Sequence, residues 1–141
     1  FDADYDIVIT SRNPLDAAGA GQEISQAWYK RIMGMAGNIF IQIVAVRGIW
    51  DTQNGFKAFR REAVERLFPQ LTIYGWGFDI EILALARAMR LRIGIIPAHW
   101  MNDEESHVRL WNYFGVLWET VQVRWNLIRG KYKIEGSPFA K

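Results

Sequence analysis

The chain contains no cysteine, which excludes a disulfide framework and any metal site built on thiolates. The lack of cysteine is compatible with a reducing cytosolic face. Net charge is also small, only +2 at pH 7, and this argues against bulk binding of nucleic acid. Long apolar runs are missing too, because the longest one, residues 32–50, is interrupted by Asn38, Gln42 and Arg47. Such a run predicts a helix in the surface or core, not one that crosses a membrane.

The first residues lack the features of an exported or complete chain. Phe1-Asp2-Ala3-Asp4 is acidic where a signal peptide has its basic region, so no signal peptide is expected. Phe1 stands where an initiator methionine would be, and from this we expect the chain to be a fragment of a longer protein.

Aromatic residues, by contrast, are abundant. The 141 residues include 7 Trp, 8 Phe and 5 Tyr, and 50% of all residues are hydrophobic against 23% charged. This composition is typical of a globular protein, and the length suits a single domain. The surplus of rings suits a ring-lined pocket, a partner surface or a membrane interface, although a core also absorbs aromatic residues.

Hydrophobic periodicity and turn residues divide the chain into alternating strands and helices. In chain order we predict a strand at Asp6–Thr10, a mobile loop at Leu15–Gln22, a helix at Ser25–Val46 weakened at Gly34 and Gly37, a helix at Arg60–Phe68 stopped by Pro69, a helix at Asp79–Ala88 and a strand at Leu91–Ile96. This order predicts an α/β fold with a mostly parallel or mixed sheet.

The segment Asp51–Glu62 concentrates groups that suit a phosphate-bearing substrate. A carboxylate, two amides and a glycine are followed by the cations Lys57, Arg60 and Arg61. Cations neutralise phosphate charge, and glycine lets the backbone approach closely. The alternative interpretation is a hairpin turn at Asn54-Gly55 that leads into a solvated helix.

A second polar cluster lies at Trp76–Glu81. Asp79 and Glu81 are two positions apart at the start of a helix, so they point in different directions. One carboxylate can therefore face a cleft while the other is structural. The alternative for Asp79 is a simple N-cap.

Taken together, these segments resemble a known enzyme family. The string Asp51-Thr52-Gln53-Asn54-Gly55-Phe56-Lys57-Ala58-Phe59-Arg60-Arg61, followed by Trp76-Gly77-Phe78-Asp79-Ile80-Glu81, is similar to motifs of the polyprenyl-phosphate sugar synthases of glycosyltransferase family 2. Dolichyl-phosphate glucose and mannose synthases belong to that family. Further similarities follow the family's order: the strand end Ser11-Arg12, then Arg31 and Asn38, then Trp100 and Ser106.

The resemblance implies a GT-A fold and the transfer of a sugar from a nucleotide sugar to a polyprenyl phosphate. It also implies a Mg²⁺ or Mn²⁺ ion that clamps the donor diphosphate, with no metal ligand assigned in this chain. The acceptor phosphate is already an anion. The protein therefore mainly has to align it and to offset the repulsion between two anions.

The resemblance also implies roles for individual residues. Asp51 and Asp79 are the implied catalytic residues, with Asp51 acting as a base or orienting the acceptor. The implied substrate-binding residues are Arg12, Arg31, Gln53, Glu81 and Ser106. The guanidinium forks of Arg12 and Arg31 would grip phosphate oxygens, while Asp79 and Glu81 would line the acceptor side or hold the loop. Without the resemblance, each arginine would be expected to face solvent.

Three departures from the family pattern limit what the chain is expected to do. Thr10 stands where the family usually has glycine, and Glu105-Ser106-His107 replaces Gly-Ser-Lys. The nucleotide-binding half with its Asp-x-Asp metal motif does not precede Asp6, and we interpret Asp2-Ala3-Asp4 as a polar loop. Residues 6–106 of the single domain 1–141 are thus expected to be the acceptor-side half of an incomplete GT-A domain. Such a half is expected to be inactive alone, and its open sheet edges would allow a homo-oligomer.

Residues 107–133 predict a basic, aromatic amphipathic helix. The cations are Arg109, Arg124, Arg129, Lys131 and Lys133, the acid is Glu119, and the rings are Trp111, Tyr113, Phe114, Trp118, Trp125 and Tyr132. This pattern suits a membrane interface, and packing of the rings on the domain's own core is the alternative. A lipid acceptor would place the chain peripherally at the cytoplasmic face of a membrane.

Two other functions stay open at this point. The chain could be a non-catalytic module that holds a polyprenyl phosphate or a partner chain, or a family 2 transferase that acts on a polysaccharide. The donor sugar and its nucleotide are not predicted by these residues.

Overall fold

A computed structural model describes residues 4–23, 28–101 and 110–134 of the chain. Its larger sheet has three strands in the order β3-β1-β4, in which β1 is Ile7–Ser11, β3 is Lys57–Phe59 and β4 is Ile93–Pro97. β1 pairs antiparallel with β3 and parallel with β4. This confirms the predicted mixed sheet of an α/β fold.

A second, smaller sheet joins two distant parts of the chain. β2, Gly21–Glu23, pairs in parallel with β5, His99–Met101. β4 ends at Pro97, and β5 begins after one further residue. The chain therefore continues directly from the larger sheet into the second sheet.

Four helices surround these strands in the described part of the chain. They are α1 at Trp28–Val44, α2 at Arg61–Leu67, α3 at Phe78–Ala88 and α4 at Leu110–Ile128. A turn of 3-10 helix at Phe68–Gln70 follows α2 and contains Pro69, as the predicted stop requires. None of the described helices is long and apolar enough to cross a membrane.

The core lies between the three-stranded sheet and α3. Ile7 and Ile9 of β1 are fully buried, and every residue of α3 from Ile80 to Ala86 is buried. The sequence of α3 is apolar around most of its circumference, as expected for a helix covered on all sides. α3 packs against α2 on one side and against α4 on another, and α4 in turn contacts α1.

Local turn chemistry explains where α3 and α4 end. Arg90 after α3 and Gly130 after α4 have positive φ angles of 57° and 64°. In both cases two backbone hydrogen bonds close the last turn, for example Lys131 N to Asn126 O and Gly130 N to Leu127 O. After Gly130 the chain returns to the core, where Tyr132 is buried. The predicted helical segment 107–133 therefore ends at Ile128.

Two local predictions are wrong, and a third holds only in part. The predicted loop at Leu15–Gln22 is a loop as far as Ala20, but Gly21 and Gln22 belong to β2, and Asp16 within the loop is anchored by three hydrogen bonds. Asn54-Gly55 does not form a hairpin, because β3 pairs with the distant strand β1. Asp79 is not the N-cap of α3, since Gly77 occupies that position. α1 also runs through both glycines predicted to weaken it, and the predicted start at Ser25 lies outside the described residues.

Candidate active site

The site begins where β1 ends, at a loop held by Asp16. Its Oδ2 accepts a hydrogen bond from the buried Ser11 hydroxyl at 2.7 Å and from Asp51 N at 2.9 Å, while its Oδ1 accepts one from Trp50 N at 2.7 Å. One carboxylate thus ties the end of β1 to the segment that carries Asp51. A partly buried short side chain with three such partners fixes its backbone neighbours in one geometry.

Arg12 and Asp51 form a two-pronged ion pair across this junction. Arg12 Nε donates to Asp51 Oδ2 at 2.8 Å, Nη2 donates to Oδ1 at 2.7 Å, and the Arg12 backbone N donates to Oδ2 at 2.8 Å. The side chains are 27% and 10% exposed, so the pair is reachable from solvent but largely covered. The hydrogen bond to Asp51 raises the pKa of Arg12 above its usual value, and the guanidinium stays charged.

Lys57 connects the motif at residues 51–61 to the motif at residues 76–81. Its ammonium group lies 3.0 Å from Asp79 Oδ1 and donates to the backbone carbonyl of Asn54 at 2.5 Å. The Lys57 side chain is only 5% exposed and that of Asp79 is 26% exposed. The Asp79 carboxylate, on the second residue of α3, therefore pairs with a cation of β3.

A second contact joins the same two segments. Gln53 Nε2 donates a hydrogen bond to the backbone carbonyl of Trp76 at 3.0 Å. Arg12 and Asp51 thus contact each other, and the residues that follow Asp51 connect its segment to the start of α3 through Trp76 and Asp79.

Glu81 has a different environment from Asp79. It is fully buried, and its carboxylate accepts hydrogen bonds from Thr72 N, Thr72 Oγ1, Ile73 N and the Tyr132 hydroxyl. These contacts agree with the second of its two expected roles, that of holding a loop. They leave no oxygen facing a cleft, so the structure favours that role over contact with substrate.

The loop between the two motifs packs on α4 through Glu119. Glu119 Oε2 accepts a hydrogen bond from Gly77 N at 2.6 Å. Tyr74 and Trp76 in the same loop are 96% and 62% exposed. The loop therefore presents two rings outward while its backbone rests on a helix.

The other predicted site residues are not placed by their side chains. Arg31 lies on α1, but its side chain is outside the described part of the structure, and Ser106 lies entirely outside it. Their implied phosphate contacts stay predictions.

The side chains of residues 4–23, 28–101 and 110–134 form no cluster that fits a divalent cation. Among the described residues, no three His, Asp or Glu side chains are grouped as a metal site requires. Asp4 pairs with Arg92, and this hydrogen bond lowers the pKa of the Asp4 carboxyl. Asp51 has both of its oxygens on Arg12. No step of the chemistry is therefore assigned to a metal held by these side chains.

Two helices carry rows of exposed apolar side chains. On α1 the row is Trp28, Ile32, Met35, Ile39 and Ile43, and on α4 it is Phe114, Trp118, Val121, Trp125 and Ile128. The spacing of three and four residues places each row on one face of its helix. On α4 the opposite face is buried through Val116, Thr120 and Val123. Of the aromatic rings predicted to suit a membrane interface, Phe114, Trp118 and Trp125 are exposed, whereas Tyr132 belongs to the core.

Sequence comparison with curated proteins gives relatives of one kind. The chain is 32% identical to a dolichyl-phosphate beta-glucosyltransferase of Dictyostelium discoideum over 94% of its own length. It is 33% identical to the human protein of that name over 81% of its length, and 46% identical to the Saccharomyces cerevisiae protein over 48% of its length. The chain is a relative of the dolichyl-phosphate beta-glucosyltransferases.

The similarity covers only part of each of these glucosyltransferases. The chain spans 40% of the Dictyostelium protein and 36% of the human protein. No family model matches the chain, and no solved structure matches it. The relatives are glycosyltransferases by name, which agrees with the resemblance found in the motifs.

Sequence reasoning missed several residues that shape the site of this glucosyltransferase relative. Asp16 gave no signal beyond its place in a polar loop, and Glu119 was noticed only as the single acid of a basic segment. Gln42 on α1 accepts from Gly48 N and donates to Ile49 O, which closes the turn that leads to Asp51. Lys57 was visible within the motif, but its pairing with Asp79 was not predicted.

Proposed function

We propose that this chain forms the acceptor side of a glycosyltransferase that moves a sugar from a nucleotide sugar to a polyprenyl phosphate. The observation that carries the proposal is the Arg12–Asp51 pair, held at the end of β1. Gln53 and Lys57 follow Asp51 in the same segment and contact the Trp76 carbonyl and the Asp79 carboxylate. The names of the relatives favour glucose as the sugar and dolichyl phosphate as the acceptor.

The paired groups suggest how an acceptor phosphate binds. Its oxygens are anionic and, like the Asp51 carboxylate, can accept two parallel hydrogen bonds from a guanidinium group, so they compete with Asp51 for Arg12. A phosphate that takes this place leaves Asp51 beside it, in position to orient the acceptor or receive a proton. Lys57 and Arg12 then offset the negative charge that accumulates when two anionic substrates meet.

A GT-A fold belongs to the same proposal. The parallel β1–β4 pair with helices α1 and α3 is compatible with one half of such a domain. A Mg²⁺ or Mn²⁺ ion and the nucleotide would then be held by residues other than those described here.

We further propose that α1 and α4 rest on a lipid surface. The acceptor named in the relatives is a lipid, and both helices expose rows of large apolar side chains, Trp among them. Arg129 stacks over the Trp125 ring at 4.5 Å, which places a cation at the edge of the α4 row where a headgroup would lie. The chain would act peripherally at the cytoplasmic face.

The test is a transfer assay with the full-length protein that carries this chain. Radiolabelled UDP-glucose and GDP-mannose are each incubated with and without dolichyl phosphate, and lipid-extractable label is counted. The proposal predicts transfer to the organic phase that requires dolichyl phosphate. Transfer that ignores the lipid would indicate a polysaccharide-type acceptor, and binding of dolichyl phosphate without transfer would indicate a non-catalytic module.

A further inference from the structure

α4 contacts the candidate site through its one acidic residue. The sequence of α4, Leu110–Ile128, contains only Glu119 as an acid, and this residue lies in the middle of the helix. Its Oε2 accepts the backbone N–H of Gly77 at 2.6 Å, a short charge-assisted hydrogen bond. The carboxylate therefore holds the backbone of a loop on another element.

Glu119 occupies the space in which side chains at Gly75 and Gly77 would lie. A Cβ on Gly75 would overlap the Glu119 carboxylate, and a Cβ on Gly77 would lie 2.7 Å from the Glu119 Cβ. Neither glycine has a positive φ angle. Both positions thus lack side chains because α4 fills the space, not because the backbone conformation demands glycine.

The backbone held by Glu119 leads directly to the site residues. The Trp76 carbonyl, between the two glycines, accepts the hydrogen bond from Gln53, and Asp79 follows Gly77 by two residues. A shift of this loop away from α4 would therefore move the acceptor of Gln53 and the partner of Lys57 together.

We propose that Glu119 is a positioning residue of the transfer reaction. It fixes the Gly75–Gly77 backbone on α4 and thereby sets the positions of Gln53 and Asp79 relative to Asp51. Glu119 itself touches no substrate. This inference rests on the proposed function, and it adds a dependence of the site on a helix outside both motifs.

The first experiment separates the hydrogen bond from the charge. Glu119→Gln keeps an oxygen for Gly77 N, whereas Glu119→Ala removes it. In the full-length protein we expect Glu119→Ala to lower kcat by about 10- to 100-fold, as small misplacements of reacting groups do, with the KM for the sugar nucleotide nearly unchanged. Glu119→Gln should retain kcat within about threefold, because the bond persists without its charge.

A double-mutant cycle identifies the contact. Gly75→Ala should lower kcat as Glu119→Ala does, because its methyl group takes the place of the carboxylate and displaces the flexible Glu119 side chain from Gly77 N. In the Glu119→Ala background that overlap is gone, so adding Gly75→Ala should cause little further loss. Thr120→Val is the matched control: it alters the neighbouring buried residue, whose hydroxyl bonds only to Val116 O, and should leave kcat unchanged.

Hydrogen exchange of the peptide that contains residues 74–79 gives a readout independent of turnover. Faster exchange in Glu119→Ala, but not in Glu119→Gln or Thr120→Val, supports the inference. Unchanged exchange, an unchanged kcat in Glu119→Ala, or an equal loss in Thr120→Val would overturn it. If the unsubstituted protein transfers no sugar, the proposed function fails, and the exchange data still decide whether Glu119 holds the loop.

Discussion

Glu81 and Tyr132 show how a buried polar cluster holds the end of the chain. The Tyr132 hydroxyl donates to Glu81 Oε1 at 2.6 Å, and Asn126 of α4 lies within hydrogen-bonding distance of Thr72 and Tyr132. Burial, followed by the hydrogen bond to Glu81, raises the pKa of Tyr132 to about 12. The cluster joins α3, α4 and the segment after Gly130.

Tyr132→Phe should destabilise the protein in a pH-dependent way. At pH 7 the loss of a donor to a buried carboxylate should cost about 1–3 kcal/mol of unfolding free energy. Between pH 10.0, where the unfolded tyrosine ionises, and about pH 12, the native tyrosine keeps its proton. The unfolding free energy of the parent protein therefore falls by about 1.4 kcal/mol per pH unit in this window, whereas Tyr132→Phe has no hydroxyl at this position to titrate. The difference between the two proteins should therefore narrow above pH 10.

Urea unfolding of the full-length protein at pH 7 and at several values above pH 9 measures this difference. Tyr74→Phe serves as control, because that ring is 96% exposed. The assigned role of the hydroxyl would be contradicted in two cases. In one, Tyr132→Phe and the parent protein have the same unfolding free energy at pH 7. In the other, the difference in unfolding free energy stays constant as pH rises.

Site residues were predictable one by one, but their partners were not. Asp51, Arg12, Gln53 and Asp79 were each predicted from motifs, yet Arg12 and Asp51 are 39 positions apart and meet only because β1 ends beside the turn after α1. Asp79 was predicted as either a catalytic residue or an N-cap. The N-cap interpretation failed because α3 begins two residues earlier than that interpretation requires, with Gly77 as the N-cap. The contact of Asp79 with Lys57, 22 positions away, is one that no local pattern contains.

At the scale of elements, α4 has two different faces. One face packs in the core through Val116, Thr120 and Val123, and Glu119 beside it accepts a hydrogen bond from Gly77 N in the loop of the candidate site. The other face exposes the apolar row from Phe114 to Ile128. A lipid surface that covers this face would dehydrate the rings and stabilise the bound state.

Removal of two rings from this face should weaken membrane binding. Each buried side chain of this size contributes about 1.5–3 kcal/mol, so Trp118→Ser with Trp125→Ser should lower the partition constant by about 100-fold or more. Flotation of the full-length protein with vesicles that contain phosphatidylserine measures the change. Leu15→Ser, at a side chain 71% exposed outside both rows, is the control and should bind like the parent protein.

Two other results would point to other occupants of the exposed rows. Unchanged vesicle binding together with a shift from oligomer to monomer in Trp118→Ser, Trp125→Ser would indicate that a second copy covers α4. Unchanged vesicle binding with an unchanged oligomeric state would contradict the lipid proposal. It would indicate that other parts of the full-length protein cover the exposed row of α4.

Elements with strong local patterns were predicted, and long-range pairings were not. β1, α2, α3 and β4 lie within a few residues of their predicted bounds, since alternation, amphipathic spacing and Pro69 are local signals. β2 was missed because a short strand in a segment rich in Gly and Ala has little strand propensity, and it forms only where β5 pairs with it. α4 ends earlier than predicted, since Gly130 adopts a positive φ.

On the scale of the whole molecule, the described residues form one core with a site at its edge. Arg12 and Asp51 come from the end of a strand and the turn after α1, Gln53 follows in the same segment, and Asp79 starts the most buried helix. Such an arrangement puts polar groups on a rigid support. The chain covers 40% of its Dictyostelium relative.

The central claim, that Asp51 acts at the acceptor phosphate, is tested most directly by the kcat of Asp51→Asn. In the full-length protein we predict a loss of about 100-fold or more in sugar transfer to dolichyl phosphate, with donor affinity and folding retained. Glu65→Gln is the control, because it breaks the exposed ion pair with Arg61 and should leave kcat unchanged. Turnover by Asp51→Asn at the parent rate would contradict the account and return Asp51 to the role of a turn residue paired with Arg12.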